Sequence, residues 1–280
     1  MLQAWLRHAD RRVVVESAEE LVIRQVPALL PEYAEVATPP GSADVRLRVD
    51  AVGGGFEVRS PTWERPCSLD DLPATLEYAL ACALVESDPH PARLHGAGVA
   101  GKDGGLLLVG ASGVGKSTLA LRLSAAGLPL LSDDQLFVGE DGRVSGLRRY
   151  LKVDRESARE FGLDLGKTPF WSADAAEVWI DPAGWGGWAR QPTRVRRVVF
   201  LEPDPGGKAI LEPLGPPAAL ERLLHARSGP SRAGALAALA NLLEGAVPAL
   251  LRAGSAAAAF LTLRAWLDSS AGDASGAAMG

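Results

Sequence analysis

Nine consecutive residues near the middle of the chain restrict the possible folds more than any other stretch. They match the pattern G-x-x-x-x-G-K-[S/T], in which glycines let a loop turn its N–H groups toward an anion. The nine are Gly110, Ala111, Ser112, Gly113, Val114, Gly115, Lys116, Ser117 and Thr118. An apolar run at 105–109 precedes them and predicts a buried strand, and helix-forming residues follow at 118–126. This order of strand, loop and helix predicts a phosphate-binding loop in an α/β fold.

The chemistry of such a loop predicts nucleotide phosphates and Mg²⁺ as its ligands. The helix that starts at the loop points its positive dipole end at the bound phosphates. Lys116 is expected to reach the β- and γ-phosphates, and the Ser117 hydroxyl is expected to bind Mg²⁺. The alternative is a glycine-rich turn without a ligand, which would require strand, loop and helix to coincide by chance.

Composition narrows the class of protein and its partners. The chain has 280 residues, long enough for one large domain or two small ones, and 47% of them are hydrophobic. Its net charge of −5 gives no basic surface for nucleic acid. Arg252 and Arg264 interrupt the longest apolar region, so no membrane span is expected. With only two cysteines and no signal pattern at the N-terminus, we expect a cytoplasmic protein.

The first part of the chain predicts a small β-rich module that ends in a helix. Alternating residues at 45–49 and 56–59 predict two half-buried strands, with glycines at 53–55 as their turn. Ser68 is the predicted N-cap of the helix, with Asp71 reaching back to it. One face of this helix is apolar at every fourth residue: Leu72, Leu76, Leu80 and Leu84. Prolines at 89 and 91 then suggest a boundary. The predicted division is a module at 1–88, a domain with the phosphate-binding loop at 89–268 and a disordered tail at 269–280.

The second part predicts the strands around the loop. A strand at 94–100 and a turn at 102–105 form a hairpin with the strand before the loop, so His95 lies on a neighbouring strand. A short strand at 128–131 ends in Ser132, Asp133 and Asp134, and a second hairpin follows. A strand at 197–201 is expected to pair with 209–213, and the stretch from 217 to 267 is expected to be helical.

Two adjacent aspartates at a strand end predict acid–base or metal chemistry. Side chains alternate along a strand, so one of Asp133 and Asp134 can face a metal or an acceptor hydroxyl while its neighbour makes a supporting contact. The structural alternative is a polar strand end in which one aspartate caps the turn. For His95 alone, a role in packing is the commoner reading.

Several of these residues together resemble the catalytic domain of the HPr kinase/phosphorylase family. They are His95, Gly96, the loop residues 110–118, Gly127, Ser132, Asp133 and Asp134. His95 precedes Gly110 by fifteen positions (110 − 95), and Asp133 follows Lys116 by seventeen (133 − 116). Both intervals match the pattern of that family. The resemblance covers about residues 94–138, and the first 90 residues do not resemble the N-terminal domain of the bifunctional enzyme.

The resemblance implies a P-loop kinase that moves the γ-phosphate of ATP to a serine hydroxyl with Mg²⁺. It implies Asp133 as general base, Asp134 as its neighbour that interacts with His95, and Ser117 with Asp134 as metal ligands. The later glycine-rich signature of the family is absent from the sequence. Dephosphorylation and a hexamer are therefore not carried over, although a homo-oligomer remains an expectation. The expected acceptor is a small protein or a ribosomal peptide, as in relatives from lasso-peptide pathways.

Two other functions stay open at this stage. A metabolite kinase would enclose its acceptor in a pocket beside Asp133. A regulatory module that only binds ATP would need no base, so Asp133, Asp134 and His95 argue against it. Arg148 and Arg149 are either stabilisers of the transferring phosphoryl group or a solvated surface pair. The tryptophan-rich stretch at 171–188 is either a lid or acceptor surface, or a satellite core.

Overall fold

The structure is a computed structural model, which describes residues 1–35, 42–154 and 177–269. The strands are β1 (Leu2–His8), β2 (Arg11–Ser17), β3 (Ala34–Glu35), β4 (Val45–Val52), β5 (Gly55–Arg59), β6 (Glu64–Cys67), β7 (Ala92–Gly101), β8 (Gly104–Val109), β9 (Leu130–Ser132), β10 (Gln135–Val138), β11 (Arg143–Gly146), β12 (Leu151–Asp154), β13 (Glu177–Ile180), β14 (Thr193–Pro203), β15 (Ile210–Pro213) and β16 (Val247–Ala253). The helices are α1 (Glu20–Leu29), α2 (Leu72–Ser87), α3 (Lys116–Ala125), α4 (Pro216–His225), α5 (Ala235–Leu243) and α6 (Ala256–Ser269). The protein is therefore a mixed α/β protein.

The chain divides into two compact units. The first consists of Met1–Pro89 with Leu147–Asp181, and the second of His90–Gly146 with Pro182–Gly280. The predicted kinase domain at 89–268 thus includes a segment, 147–181, that the structure groups with the first unit. The predicted disordered tail lies outside the described residues except for Ser269, which is the last residue of α6.

The first unit is built on a six-stranded sheet in the order β3-β1-β2-β4-β5-β6. The predicted hairpin is confirmed, since β4 and β5 pair antiparallel through a turn at Gly53 and Gly54. The leucines at 72, 76, 80 and 84 are fully buried, which confirms the predicted apolar face of α2. Ser68 is not the N-cap, because helix α2 begins at Leu72, directly after Asp71. The predicted contact between Ser68 and Asp71 is present in the turn before the helix, where the N–H of Asp71 donates to Ser68 Oγ at 3.1 Å and Ser68 Oγ donates to Asp71 Oδ2 at 2.7 Å. Strand β1 and helix α1 were not predicted, although Val22, Val26 and Leu29 of α1 are buried at helical spacing.

Buried charge joins the segment after residue 146 to the first unit. The fully buried carboxylate of Glu77 accepts from Arg149 Nη1 at 3.3 Å and from Lys152 Nζ at 2.8 Å. The backbone N–H of Arg148 donates to Tyr33 Oη at 2.7 Å, and its side chain pairs with Glu32 at 2.9 Å. Both arginines are therefore largely buried ion-pair partners, so the expectation of a solvated surface pair is wrong.

The tryptophans predicted as one stretch belong to different units. Trp179 is buried in β13 of the first unit, where Lys152 Nζ lies 4.6 Å from the centre of its ring. Trp185 and Trp188 follow a short 3₁₀ turn at Pro182–Gly184 in the second unit. Trp171 lies outside the described residues. The stretch 171–188 is thus not a single structural element.

The second unit is built on an eight-stranded mixed sheet. Its order is β11-β10-β7-β8-β14-β16-β15, with β9 pairing to β7. Strands β8, β14 and β16 are parallel, and the two predicted hairpins, β7–β8 and β10–β11, are both present. Two expectations are wrong. Strand β15 pairs with β16 and not with β14, and β16 itself lies in the stretch that was expected to be helical.

Helices α4 and α5 cover one face of this sheet. Their apolar side chains, Ala219 and Leu223 from α4 and Ala238 and Leu239 from α5, join one buried cluster with strand residues such as Phe200. Sheet and helices therefore form a rigid support for the loops at the ends of the parallel strands. None of the helices in the described residues is long and apolar enough to cross a membrane.

Candidate active site

The phosphate-binding loop, residues 110–118, connects β8 to α3. Gly113 and Gly115 have φ values of 78° and 94°, a left-handed conformation that favours glycine. Gly115 is also the residue before α3, and no side chain caps that end of the helix. The N–H groups of the first helical turn are thus left without side-chain acceptors, as at helix ends that bind anions.

Lys116 lies buried against its own loop. Its Nζ donates to Gly110 O at 3.0 Å and to Ala111 O at 2.8 Å, and only 5% of the residue is exposed. Burial lowers the pKa of Lys116, and the nearby charge of Asp134 acts in the opposite direction. The loop therefore holds a cation inside its curve, where the phosphates of a nucleotide would bind.

The two aspartates occupy the turn between β9 and β10. The buried hydroxyl of Ser132 accepts from the N–H of Asp134 at 3.3 Å and from that of Gln135 at 3.2 Å, which shapes the turn. Ser117 Oγ donates to the backbone oxygen of Asp133 at 3.1 Å. This bond joins the first turn of α3 to the aspartate turn, so the loop and the carboxylates form one site.

Strand register places His95 beside Asp134. Position 95 of β7 pairs with Gln135 of β10, and its neighbour Gly96 pairs with Val109, the last residue before the loop. His95 Nδ1 and Asp134 Oδ1 lie 2.8 Å apart, and Gln135 Nε2 donates to the same oxygen at 3.5 Å. The side chains of His95 and Asp134 are 40% and 29% exposed, so the pair is open to a substrate.

Two cavities flank the phosphate-binding loop. One, of about 440 Å³, is bordered by the start of the loop, by His95 and by three basic residues, Arg222, His225 and Arg227. The other, of about 230 Å³, lies between the later part of the loop, the ends of β14 and β16 and the start of α6. The loop therefore separates a basic cavity next to His95 from a smaller one lined by Leu119, Pro203 and Ala259.

The residues expected to bind Mg²⁺ have suitable chemistry. Ser117 offers a hydroxyl and Asp134 a carboxylate, and both belong to the joined loop and aspartate turn. Among the residues the structure describes, no group of three or more His, Cys, Asp or Glu could hold a metal ion. Magnesium commonly takes one or two carboxylates and completes its shell with phosphates and water, so the pair fits a metal that arrives with a nucleotide.

All the predicted site residues lie in the second unit, and contacts join Lys116 to the loop, Ser117 to Asp133 and His95 to Asp134. Sequence reasoning missed Gln135 and Ser228, although Ser228 Oγ donates to Gln135 Oε1 at 2.9 Å and extends the network behind Asp134. It also missed Arg222 and Arg227. Gln135 directly follows the two aspartates in sequence, whereas Arg222 in α4 and Arg227 and Ser228 after it carried no such signal.

Fold and site together define a mixed α/β protein in which a glycine-rich loop between a strand and a helix lies next to a histidine–carboxylate pair. No family model matches the chain, and no curated protein matches it. Among solved structures it is similar to the HPr(Ser) kinase/phosphatase from Coxiella burnetii, with 14% identity over 64% of this chain and 99% of that chain, and a TM-score of 0.33. An identity of 14% and a TM-score of 0.33 give no evidence for the function of this chain.

Proposed function

We propose that this protein is an ATP- and Mg²⁺-dependent kinase with a catalytic domain of the HPr kinase type. It transfers the γ-phosphate to a hydroxyl, in the first place to a serine on a small protein or ribosomal peptide. The observation that carries this proposal is the bond from Ser117 to Asp133, which ties the phosphate-binding loop to a solvent-accessible His95–Asp134 pair. Nucleotide binding alone would need only the loop, whereas phosphoryl transfer also needs groups that bind the metal ion and accept the proton of the hydroxyl.

The loop residues hold the phosphates in this proposal. The backbone N–H groups of Gly113 to Lys116 surround them, and Lys116 exchanges its bonds with two loop carbonyls for bonds with phosphate oxygens. Ser117 and Asp134 would hold Mg²⁺, which would supply positive charge to the phosphate oxygens.

The two aspartates divide the remaining work. Asp134 Oδ1 is already held by His95, so we assign Asp134 to positioning and to the metal. Asp133 follows the rigid turn built on Ser132, and we assign it the role that the resemblance implies, which is to accept the proton of the acceptor hydroxyl.

The two cavities support one orientation of the nucleotide, with its terminal phosphate toward the larger cavity and its nucleoside toward the smaller one. His95 borders the larger cavity, so the reacting phosphoryl group and the acceptor belong on that side of the loop. The nucleoside then belongs on the side of Gly113, Gly115 and α6, where the smaller cavity has apolar walls. A cavity of about 440 Å³ is also in the size range of small-molecule sites, which makes a metabolite acceptor the second candidate.

The test is transfer of ³²P from γ-labelled ATP with Mg²⁺ into a lysate of the source cell. We expect label in one small protein or peptide, and loss of that label in Lys116→Ala but not in Lys102→Ala, an exposed lysine in the β7–β8 turn. Asp133→Asn should bind nucleotide within about tenfold of wild type while transfer falls at least about a hundredfold.

The other results of this experiment have defined meanings. Label found only in small molecules would show that the acceptor is a metabolite and not a protein or peptide. Equal transfer by wild type and Asp133→Asn would remove Asp133 from the chemistry. Bound ATP with no transfer to any fraction would contradict the kinase and leave an ATP-binding regulatory module.

A further inference from the structure

The larger cavity is lined by basic side chains that have no role in the proposed transfer reaction. One wall is the start of the phosphate-binding loop, Gly110 to Ser112, with His95 beside it. The floor is apolar and includes Val109, Phe200 and Leu201. The opposite wall is the end of α4 and the turn after it, which contribute Arg222, His225 and Arg227.

Backbone pairing fixes this basic wall next to His95. The N–H of His95 donates to Ala226 O at 2.9 Å, and the N–H of Ser228 donates to Arg93 O at 3.0 Å. Arg227 thereby forms an antiparallel bridge with Leu94 of β7. Residues 226–228 thus pair along the edge of β7, the strand that contains His95. The backbone of Arg227 is therefore held in place by main-chain hydrogen bonds.

The charge of the wall is only partly balanced. Arg222 is neutralised by Glu202, whose carboxylate accepts a hydrogen bond from Arg222 Nη2 at 2.8 Å. This hydrogen bond lowers the pKa of the Glu202 carboxyl below its ordinary value. For the half-buried Arg227, no ion pair or side-chain hydrogen bond is found within the described parts of the chain, and no acidic residue is among those that line the cavity. A half-buried guanidinium without a counter-charge favours an anion, which it can bind through two parallel hydrogen bonds.

We propose that this cavity is an acceptor subsite that binds an anionic group, a carboxylate or a phosphate, carried by the acceptor itself. The inference rests on the proposed kinase function, because it places the acceptor hydroxyl between His95 and the start of the loop. Arg227 binds the anion and His225 stands beside it. Val109, Phe200 and Leu201 contact the carbon skeleton between the anion and the hydroxyl.

The four histidines of the chain supply a direct probe of the cavity. The protein is saturated with Mg²⁺ and a non-hydrolysable ATP analogue, so that the loop is filled, and is then titrated with inorganic phosphate or with acetate. The imidazole C–H resonances of His225 and His95 should shift saturably, while those of His8 and His90, which do not line the cavity, should stay in place. The anion that shifts them at the lower concentration identifies the acceptor group as phosphate or carboxylate.

Variants tie the response to Arg227. Arg227→Gln should weaken anion binding at least about tenfold, as expected for loss of a hydrogen bond to a charged group, and Arg227→Lys should weaken it less. Arg194→Gln, an exposed arginine at the opposite end of β14, should bind as wild type does. Unchanged His8 and His90 resonances show that each variant is folded. A His225 signal that never saturates, or equal affinities of wild type and Arg227→Gln, would overturn the subsite.

A parallel titration separates this inference from the proposed function. Absence of nucleotide binding by wild type would contradict the kinase. The anion titration is then repeated on unliganded Lys116→Ala, in which the loop has lost its own cation. A response of His225 that still depends on Arg227 would support an anion site without a kinase, and no response would end both proposals.

Discussion

Among the described residues, each unit of the molecule contains a close histidine–carboxylate pair, and these two pairs differ mainly in access. In the first unit His8 Nε2 lies 2.7 Å from Asp88 Oδ2, and in the second His95 Nδ1 lies 2.8 Å from Asp134 Oδ1. The side chains of the first pair are 11% and 0% exposed, whereas those of the second are 40% and 29% exposed. Distance therefore does not distinguish a structural pair from a candidate site.

The surroundings of the pairs explain the difference. The ring of His8 packs edge-on against Tyr33, with 5.5 Å between the ring centres, so that pair is part of a packed interior. In the other pair, His95 borders a cavity and Asp134 lies near the cation of Lys116. The comparison teaches that the same two groups stabilise a fold where water is excluded and can serve chemistry where a ligand can reach them.

The largest expected effect is on stability, and it comes from breaking the buried pair of His8 and Asp88. Asp88→Asn should lower the free energy of unfolding of the first unit by about 3–5 kcal/mol, because a buried group loses its charged partner. Asp134→Asn should change that of the second unit by less than about 1 kcal/mol. Urea denaturation followed by tryptophan fluorescence measures both. Similar losses in the two variants would show that access does not separate the pairs.

The next effect is on phosphoryl transfer, from removing each histidine. His95→Ala should lower the transfer rate about tenfold to a hundredfold, because Asp134 loses a hydrogen bond that positions a charged group. His8→Ala should leave the rate unchanged at a temperature where the variant is folded. The assay is the initial rate with γ-labelled ATP, at saturating nucleotide. An equal reduction in both variants would assign the effect to general destabilisation.

The smallest effect is on the pH dependence of stability, and it comes from Lys116. Its folded-state pKa lies below the ordinary value of 10.5 because of burial. Between those two values the unfolded chain binds more protons, so the stability of the unliganded protein should rise with pH. Lys116→Met should flatten this rise in urea titrations at pH values just below 10.5. A slope that is identical in wild type and variant would show that Lys116 is not the group responsible.

Local signals predicted the centre of the site well. The strand before the loop, the loop glycines and α3 are continuous in sequence, and the hairpin turn at 102–103 fixed the neighbour of β8. The leucines of α2 were predicted for the same reason, since their period describes one helix face. The catalytic and metal-binding roles of Asp133, Asp134 and His95 remain predictions.

Features that depend on contacts between distant parts of the chain were not predicted from the sequence. Strand β16 begins Val247-Pro248 and sits between helices in an alanine- and leucine-rich stretch, so only its pairing with β14 reveals it. Strand β15 was assigned the wrong partner because pairing between strands is not local. The segment 147–181 belongs to the first unit through buried charges at Glu77, and Arg227 reaches the cavity through a bridge to β7. Nothing in the local pattern predicted these contacts.

Gly96, which follows His95, has a consequence for how such a motif varies between chains. A Cβ atom at this position would lie 3.0 Å from Leu108 O and 3.2 Å from Leu136 Cδ1. A smaller residue at 136 could relieve the second contact, but the first is with the backbone of β8, which would have to shift by a few tenths of an ångström. The glycine of this His-Gly dipeptide is therefore constrained by the pairing of β7 with β8, whereas the histidine side chain is not. A chain that keeps the glycine without the histidine would share the strand pairing and not the histidine–carboxylate pair.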